Sequence, residues 1–155
     1  MLSELNQLTL KADGRYVTPE EWQPVHTYLA EMRQRFSAYG KIKAAEAEIL
    51  QEMERRFLMR YPNFVYKNKP DMAKICRRDY IDMLRYIAAT LLTGDITAYK
   101  QRTLCWFQTI AHCFHQESGS QFYGIMGEVL KERLTPQEFA LVRPIVDITA
   151  EMVGS

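Results

Sequence analysis

The sequence predicts an all-α domain, and three observations predict it. Breakers are few, with 7 glycines and 6 prolines in 155 residues. Most apolar residues recur three and four positions apart, the period of one helix face. No stretch alternates apolar and polar residues convincingly enough to read as a strand.

The elements follow in order, seven or so helices in all. Leu2, Leu5 and Leu8 line a short first helix. Asp13-Gly14 then turns the chain, and Thr18-Pro19-Glu20-Glu21 starts a second helix, with Thr18 as cap and Pro19 at the first helical position. It extends to about Tyr39, with Val25, Tyr28, Leu29, Met32 and Phe36 on one face, and Gly40 is expected to interrupt it. A third helix carries Ile42, Ala45, Ile49, Met53 and Phe57 and ends at Pro62. The polar run NFVYKNKPD is a loop. A long helix begins near Pro70, contains KICRRDYIDMLRY and stops at Thr93-Gly94-Asp95, where Gly94 supplies the C-terminal turn. The stretch ITAYKQRTLCWFQTIAHCFHQ makes another helix, stopped by Glu117-Ser118-Gly119-Ser120. Phe122 to Glu132 and a last helix capped by Thr135 complete one domain spanning residues 1–155, with no repeat and no disordered tail.

Composition narrows the function classes. Hydrophobic residues make up 47% and charged residues 25%, an ordinary globular balance. A formal net charge of +1 gives no electrostatic case for nucleic acid or an anionic membrane. Apolar runs such as Ile87 to Leu92 are too short to span a bilayer, so any membrane association is expected to be peripheral. Three cysteines without paired spacing point to a reducing compartment and not to a disulfide framework. Nothing resembles a nucleophile elbow, a phosphate loop or a catalytic triad, and no enzyme is expected.

The residues that carry chemistry sit at the start of the long helix. Cys76, Arg77, Arg78 and Asp79 put a thiol, two cations and a carboxylate together. Cations beside a thiol favour the nucleophilic thiolate. Asp79 is three residues on, hence on the side of the helix that Cys76 faces, while pitch alone points Arg78 away. Tyr80, Met83 and Ile87 extend the Cys76 face and suit either a ligand wall or plain core. A rival cluster, Cys105, His112, Cys113 and His115, is strung along one helix, whereas structural metal sites pair their ligands across a loop. No metal is expected there; Cys105, Phe107, Ile110 and Phe114 read as packed core.

The stretches ADGRYVTPEE, RYPNFV and CRRDYIDMLRYIAATLLTGD, taken in this order, resemble the phycobiliproteins, in particular the allophycocyanin subunits of the cyanobacterial phycobilisome. The positions that carry the likeness are Cys76, Arg78, Asp79, Leu84, Arg85, Gly94 and Asp95. The resemblance implies a globin-like helical domain with an N-terminal two-helix extension. It implies a covalent phycobilin, phycocyanobilin by expectation, joined to Cys76 as a thioether, with Asp79 accepting from the pyrrole nitrogens, Arg78 pairing a propionate, and Arg77, Tyr80 and Met83 beside the ligand. It further implies light harvesting by energy transfer, in a soluble protein peripheral to the cytoplasmic side of the thylakoid membrane.

Residues 1–39 would then be dimerisation helices that pair with a second copy or another phycobiliprotein chain. Leu5 and Trp22 would contribute apolar contacts, and Asp13, Arg15 and Arg85 polar links. Phycobilisome core or linker proteins are the further partners implied. Three departures suggest a divergent, minor member. The loop VYKNKPDMA is shorter than in the family, Asp82 and Met83 replace tyrosines, and Trp106 to His115 is unlike the usual chains. The expectation therefore extends to a dimer and not to a ring of dimers. Two other readings stay open: an accessory or regulatory antenna protein with little or no bilin, and a globin-like haem or ligand sensor.

Overall fold

The computed structural model describes residues 1–63, 70–113 and 119–154. These residues form α1 (Leu2–Lys11), α2 (Pro19–Ala44), α3 (Glu46–Arg60), α4 (Pro70–Thr93), α5 (Ile96–Tyr99), a π-helical turn (Lys100–Leu104), α6 (Cys105–Cys113), α7 (Gly119–Arg133) and α8 (Pro136–Gly154). None of the described residues is in a strand. Most of the loop before α4 and Phe114 to Ser118 lie outside the described residues.

The core is built where α3, α4, α7 and α8 meet. Met53 and Phe57 from α3, Leu84, Ile87 and Leu91 from α4, Phe122, Met126 and Leu130 from α7, and Val142 and Ile145 from α8 are all buried. Bidentate pairs bind α3 to α7 at the surface, Arg56 to Glu132 at 2.9 and 2.6 Å and Arg60 to Glu128 at 3.1 and 3.0 Å. Exposed pairs of this kind are screened by solvent and add little net stability, so they set register more than stability. Glu138 ties the start of α8 to α2, accepting from Ser37 Oγ at 2.6 Å and Lys41 Nζ at 2.7 Å. Burial opposes its charge, but bonds from Lys41, Ser37 and Thr135 hold its carboxyl down at about 2.

The helix starts form as the sequence predicts. Thr18 and Glu21 make a reciprocal capping box below Pro19. Thr135 and Glu138 make a second one, with Thr135 N–H donating to the Glu138 carboxylate at 2.8 Å and Glu138 N–H to Thr135 Oγ1 at 3.3 Å. The turn at Gly14 takes a positive φ of 72°.

Two expectations are corrected. Gly40 does not interrupt α2; the break falls at Ala45, which leaves the helical region with φ −103° and ψ 13°. Bending there lets Ile42 on α2 and Ile49 and Leu50 on α3 reach the same core. On the apolar face of α2, Leu29 and Phe36 are each 59% exposed. The side chains that meet α4 and the core are Tyr28, Arg35, Ala38 and Ile42, and of α2 only Ala38 and Ile42 are buried. Cys105 is exposed instead of packed. The π-helical turn just before it shifts the register, so that Leu104 and Phe107 are buried and Cys105 turns outward.

The end of α4 is the anchor for the N-terminal pair of helices. Gly94 adopts φ 62°, its N–H closing on Thr90 O at 2.8 Å. The last carbonyls of α4 would be unpaired in an isolated helix. Here Tyr28 Oη donates to Leu92 O, and Arg35 Nη1 donates to Leu91 O at 2.9 Å. Asp95 accepts from the Ser3 N–H at 2.7 Å and the Ala98 N–H at 3.0 Å, capping α5 while holding α1.

A Cβ at position 94 would stand 3.0 Å from Tyr28 Cε2 in addition to its left-handed backbone. Gly94→Ala is expected to lower stability by about 1–2 kcal/mol from the backbone alone. Thermal unfolding checks this; an unchanged Tm would mean that the corner relaxes freely.

Candidate functional site

The first turns of α4 divide their side chains between core and solvent. Cys76, Tyr80, Met83, Leu84 and Ile87 lie along the buried stripe, and Arg77, Arg78, Asp82 and Arg85 face out. Asp79 stands between the two, its side chain 22% exposed. This is the partition that helical spacing gives.

The thiol is where the structure departs from the sequence reading. Covalent attachment calls for an accessible sulfur, but Cys76 is only 5% exposed and belongs to the core cluster. The two arginines point away from it. Arg77 pairs with Glu54 at 3.4 Å, and Arg78, 70% exposed, reaches Asp79 at 3.5 Å. Their effect on the thiol is thus screened by solvent.

Asp79 is not held as an ordinary surface acid. Burial pushes its carboxyl above the usual range, and the Arg78 charge lowers it too little to offset this. Net, the charged carboxylate is less favoured here than on an exposed aspartate.

Beneath this turn lies an aromatic cluster shared by α3, α4 and α7. Tyr80 stacks on Phe122 with ring centroids 3.6 Å apart and planes within 9°. Tyr123 meets Tyr80 edge-on at 6.0 Å, and Phe57 meets Phe122 at 5.3 Å. Met83 lies below, its Sδ 3.6 Å from Tyr99 Oη, which also bonds Thr149 Oγ1 at 2.8 Å. Burial pushes the Tyr99 phenol up to about 12.

Tyr123 is the residue that sequence reasoning missed. It is 1% exposed, and its Oη has no hydrogen-bond partner among the described residues. Burial pushes its phenol well above the usual value, and the charges of Tyr80, Tyr99, Asp79 and Cys76 raise it further. An unpaired buried hydroxyl costs about 1–3 kcal/mol. The signal was present in the spacing of Tyr123, Met126 and Leu130, which places a hydroxyl on a core face.

The remaining expected residues are spread elsewhere. Arg85 makes a bidentate pair with Glu46 at 2.7 and 2.8 Å. Arg15 does the same with Glu21 at 2.9 and 2.8 Å. Asp13 is exposed, Leu5 half-buried, and Trp22 exposed near the start of α2. Of the rival cluster, His115 and the side chains of His112 and Cys113 lie outside the described residues. Among the described residues, no group of histidine, cysteine and carboxylate side chains is placed to hold a metal. No helix among them is long and apolar enough to cross a membrane.

The structure thus brings a buried Cys76 thiol, a half-buried Asp79 carboxylate and the unpartnered Tyr123 hydroxyl to one region of the fold, with Arg77 and Arg78 on its solvent side. A family model described as "Phycobilisome protein" matches residues 8–153, nearly the whole chain. No curated protein matches the sequence.

Because burial raises the Asp79 carboxyl in the folded state, its charge costs stability as pH rises from the unfolded value near 3.8 through the folded one. Asp79→Asn is therefore expected to raise the Tm of pigment-free protein at pH 7, with the gain closing at acid pH, where both carboxyls are protonated. A lower Tm at pH 7 would show the carboxylate to be a structural anchor.

Proposed function

The chain belongs to the phycobilisome protein family, and we propose that it is a chromoprotein carrying a phycobilin on Cys76, harvesting light and passing excitation energy on in or near a phycobilisome. The observation that carries this reading is the half-buried Asp79, one turn from Cys76, paired with Arg78 only at 3.5 Å. A bound linear tetrapyrrole supplies a protonatable conjugated chain. Asp79 then accepts charge-assisted bonds from its pyrrole N–H groups and favours the protonated, extended form. Cys76 Sγ supplies the thioether link. Arg78 and Arg77 stand exposed within reach of solvent-facing propionates, and Tyr80 and Met83 form the wall beneath. Phycocyanobilin is the bilin we assign. The family also implies a soluble, peripheral position at the cytoplasmic side of the thylakoid membrane.

The burial of Cys76 favours a second reading, an accessory antenna subunit with little or no pigment. Co-expression with bilin-synthesis enzymes and a zinc-stained denaturing gel decides between them. The wild type is expected to give a fluorescent band and Cys76→Ser none. A wild type without a band, or a band that persists in Cys76→Ser, overturns the first reading.

The N-terminal pair of helices supplies the partner surface. Trp22, Leu29 and Phe36 recur every seven residues along α2, interleaved with Val25, Met32 and Tyr39. Such a seam fits another helix. It leads toward a groove between α2 and α4 lined by Tyr39, Ile42, Leu84 and Ala88, closed by the Arg85–Glu46 pair. Exposed Leu10 and Tyr16 lie in the neighbouring α1 and turn. Large exposed apolar patches mark interfaces. Asp13 is the exposed carboxylate left to meet a cation on the partner, while Arg15 and Arg85 would have to share their own glutamates. The partner is a second copy or another phycobiliprotein chain, with core or linker proteins beyond it.

Light scattering should give a dimer for the wild type, alone or mixed with antenna subunits, and a monomer for Leu29→Glu/Phe36→Glu. A wild type that stays monomeric at high concentration in both settings removes this assignment.

A further inference from the structure

Tyr123 has a burial and a hydrogen-bonding state that the core does not explain. Its ring packs edge-on to Tyr80 and its hydroxyl, 1% exposed as a residue, finds no partner among the described residues. Buried polar groups are nearly always paired, and each exception calls for an explanation. Phenylalanine would fill the same volume without a stranded hydroxyl. The orphaned oxygen also lies within electrostatic reach of the Asp79 carboxylate and the Cys76 thiol. Two polar groups on different helices, Asp79 on α4 and Tyr123 on α7, are thus both poorly satisfied around one thiol.

We propose that Tyr123 is a chromophore-positioning residue, whose Oη–H donates a hydrogen bond to a ring carbonyl oxygen of the tetrapyrrole held by Cys76 and Asp79. This rests on the proposed bilin-carrying function. The donor is the neutral phenol, since burial in this apolar surrounding keeps the proton on at physiological pH. A bond of this kind, made away from water, limits rotation of the ring that bears the carbonyl. Asp79 fixes the inner nitrogens, Cys76 fixes one end, and Tyr123 contributes a third fixed point from another helix. The spectrum of a flexible conjugated chain depends on how rigidly its rings are held, so loss of that point is visible in the native spectrum and not in the denatured one.

The test uses the full chain loaded by co-expression with bilin-synthesis enzymes, comparing wild type, Cys76→Ser and Tyr123→Phe. Tyr123→Phe is expected to keep its covalent pigment, because the thiol is untouched. Its native absorption maximum should move by several nanometres and its fluorescence yield fall at least two-fold, while in acidic urea the two pigments absorb identically. In pigment-free protein, Tyr123→Phe should melt at the wild-type temperature or above, since no internal bond is lost. Loaded wild type with an unchanged native spectrum in Tyr123→Phe overturns this inference alone. A clear fall in the Tm of pigment-free Tyr123→Phe also overturns it, by revealing a structural partner for the hydroxyl. A wild type that takes up no covalent pigment overturns the proposed function and this inference together.

Discussion

One helical stripe governs both the core and the candidate site. Cys76, Tyr80, Met83, Leu84, Ile87 and Leu91 follow a single 3.6-residue period down α4, and each is buried. Burying that stripe against α3, α7 and α8 is what fixes the rotation of α4. Once the rotation is fixed, Asp79 must fall on the boundary between core and solvent, and Arg77 and Arg78 must point outward. The site residues have no freedom of their own. Their positions are a by-product of packing, which gives them the precision of the core, and the same packing covers the thiol.

The other end of α4 is constrained by hydrogen bonding instead of burial. Its last carbonyls need donors, and Tyr28 and Arg35 supply them from α2. That requirement turns the polar side of α2 toward α4 and leaves the Trp22, Leu29, Phe36 seam facing away. The left-handed Gly94 and the capping Asp95 then bring α1 alongside. Exposure of an apolar seam is thus the consequence of satisfying a helix terminus, and not of a core too small to hold it.

Much of this was legible in the sequence because it depends on local chemistry. The caps at Thr18 and Thr135, the stop at Gly94 and the partition of Cys76, Arg78 and Asp79 on α4 follow from backbone donors and helical pitch. What was not legible depends on distant contacts. Gly40 reads as a breaker, yet it stays helical within α2, and the bend falls at Ala45, with Ile42 on one side and Ile49 and Leu50 on the other buried in one core. Period alone does not tell a core from an interface, so the exposure of Leu29 and Phe36 is visible only in three dimensions. Cys105 read as packed because a π-helical turn, invisible in the spacing, shifts the register just ahead of it. Tyr123 was passed over since its spacing marked it as core and its missing partner is a three-dimensional fact.

Local preference and global packing agree along most of the chain, and they disagree around Cys76. A carboxylate is held where burial disfavours its charge, and a hydroxyl is buried without an acceptor. Sequences that fold well avoid such conflicts except where function demands them. Each group alone has a bland remedy, Asn at 79 or Phe at 123, that keeps volume and removes the penalty. The two are near one another but on different helices, so a single structural demand does not account for both. One ligand that offers N–H donors to the carboxylate and an acceptor to the phenol does account for both. On the proposed function, the stability given up in the pigment-free chain would be recovered as binding energy, since the groups are already oriented before the ligand arrives.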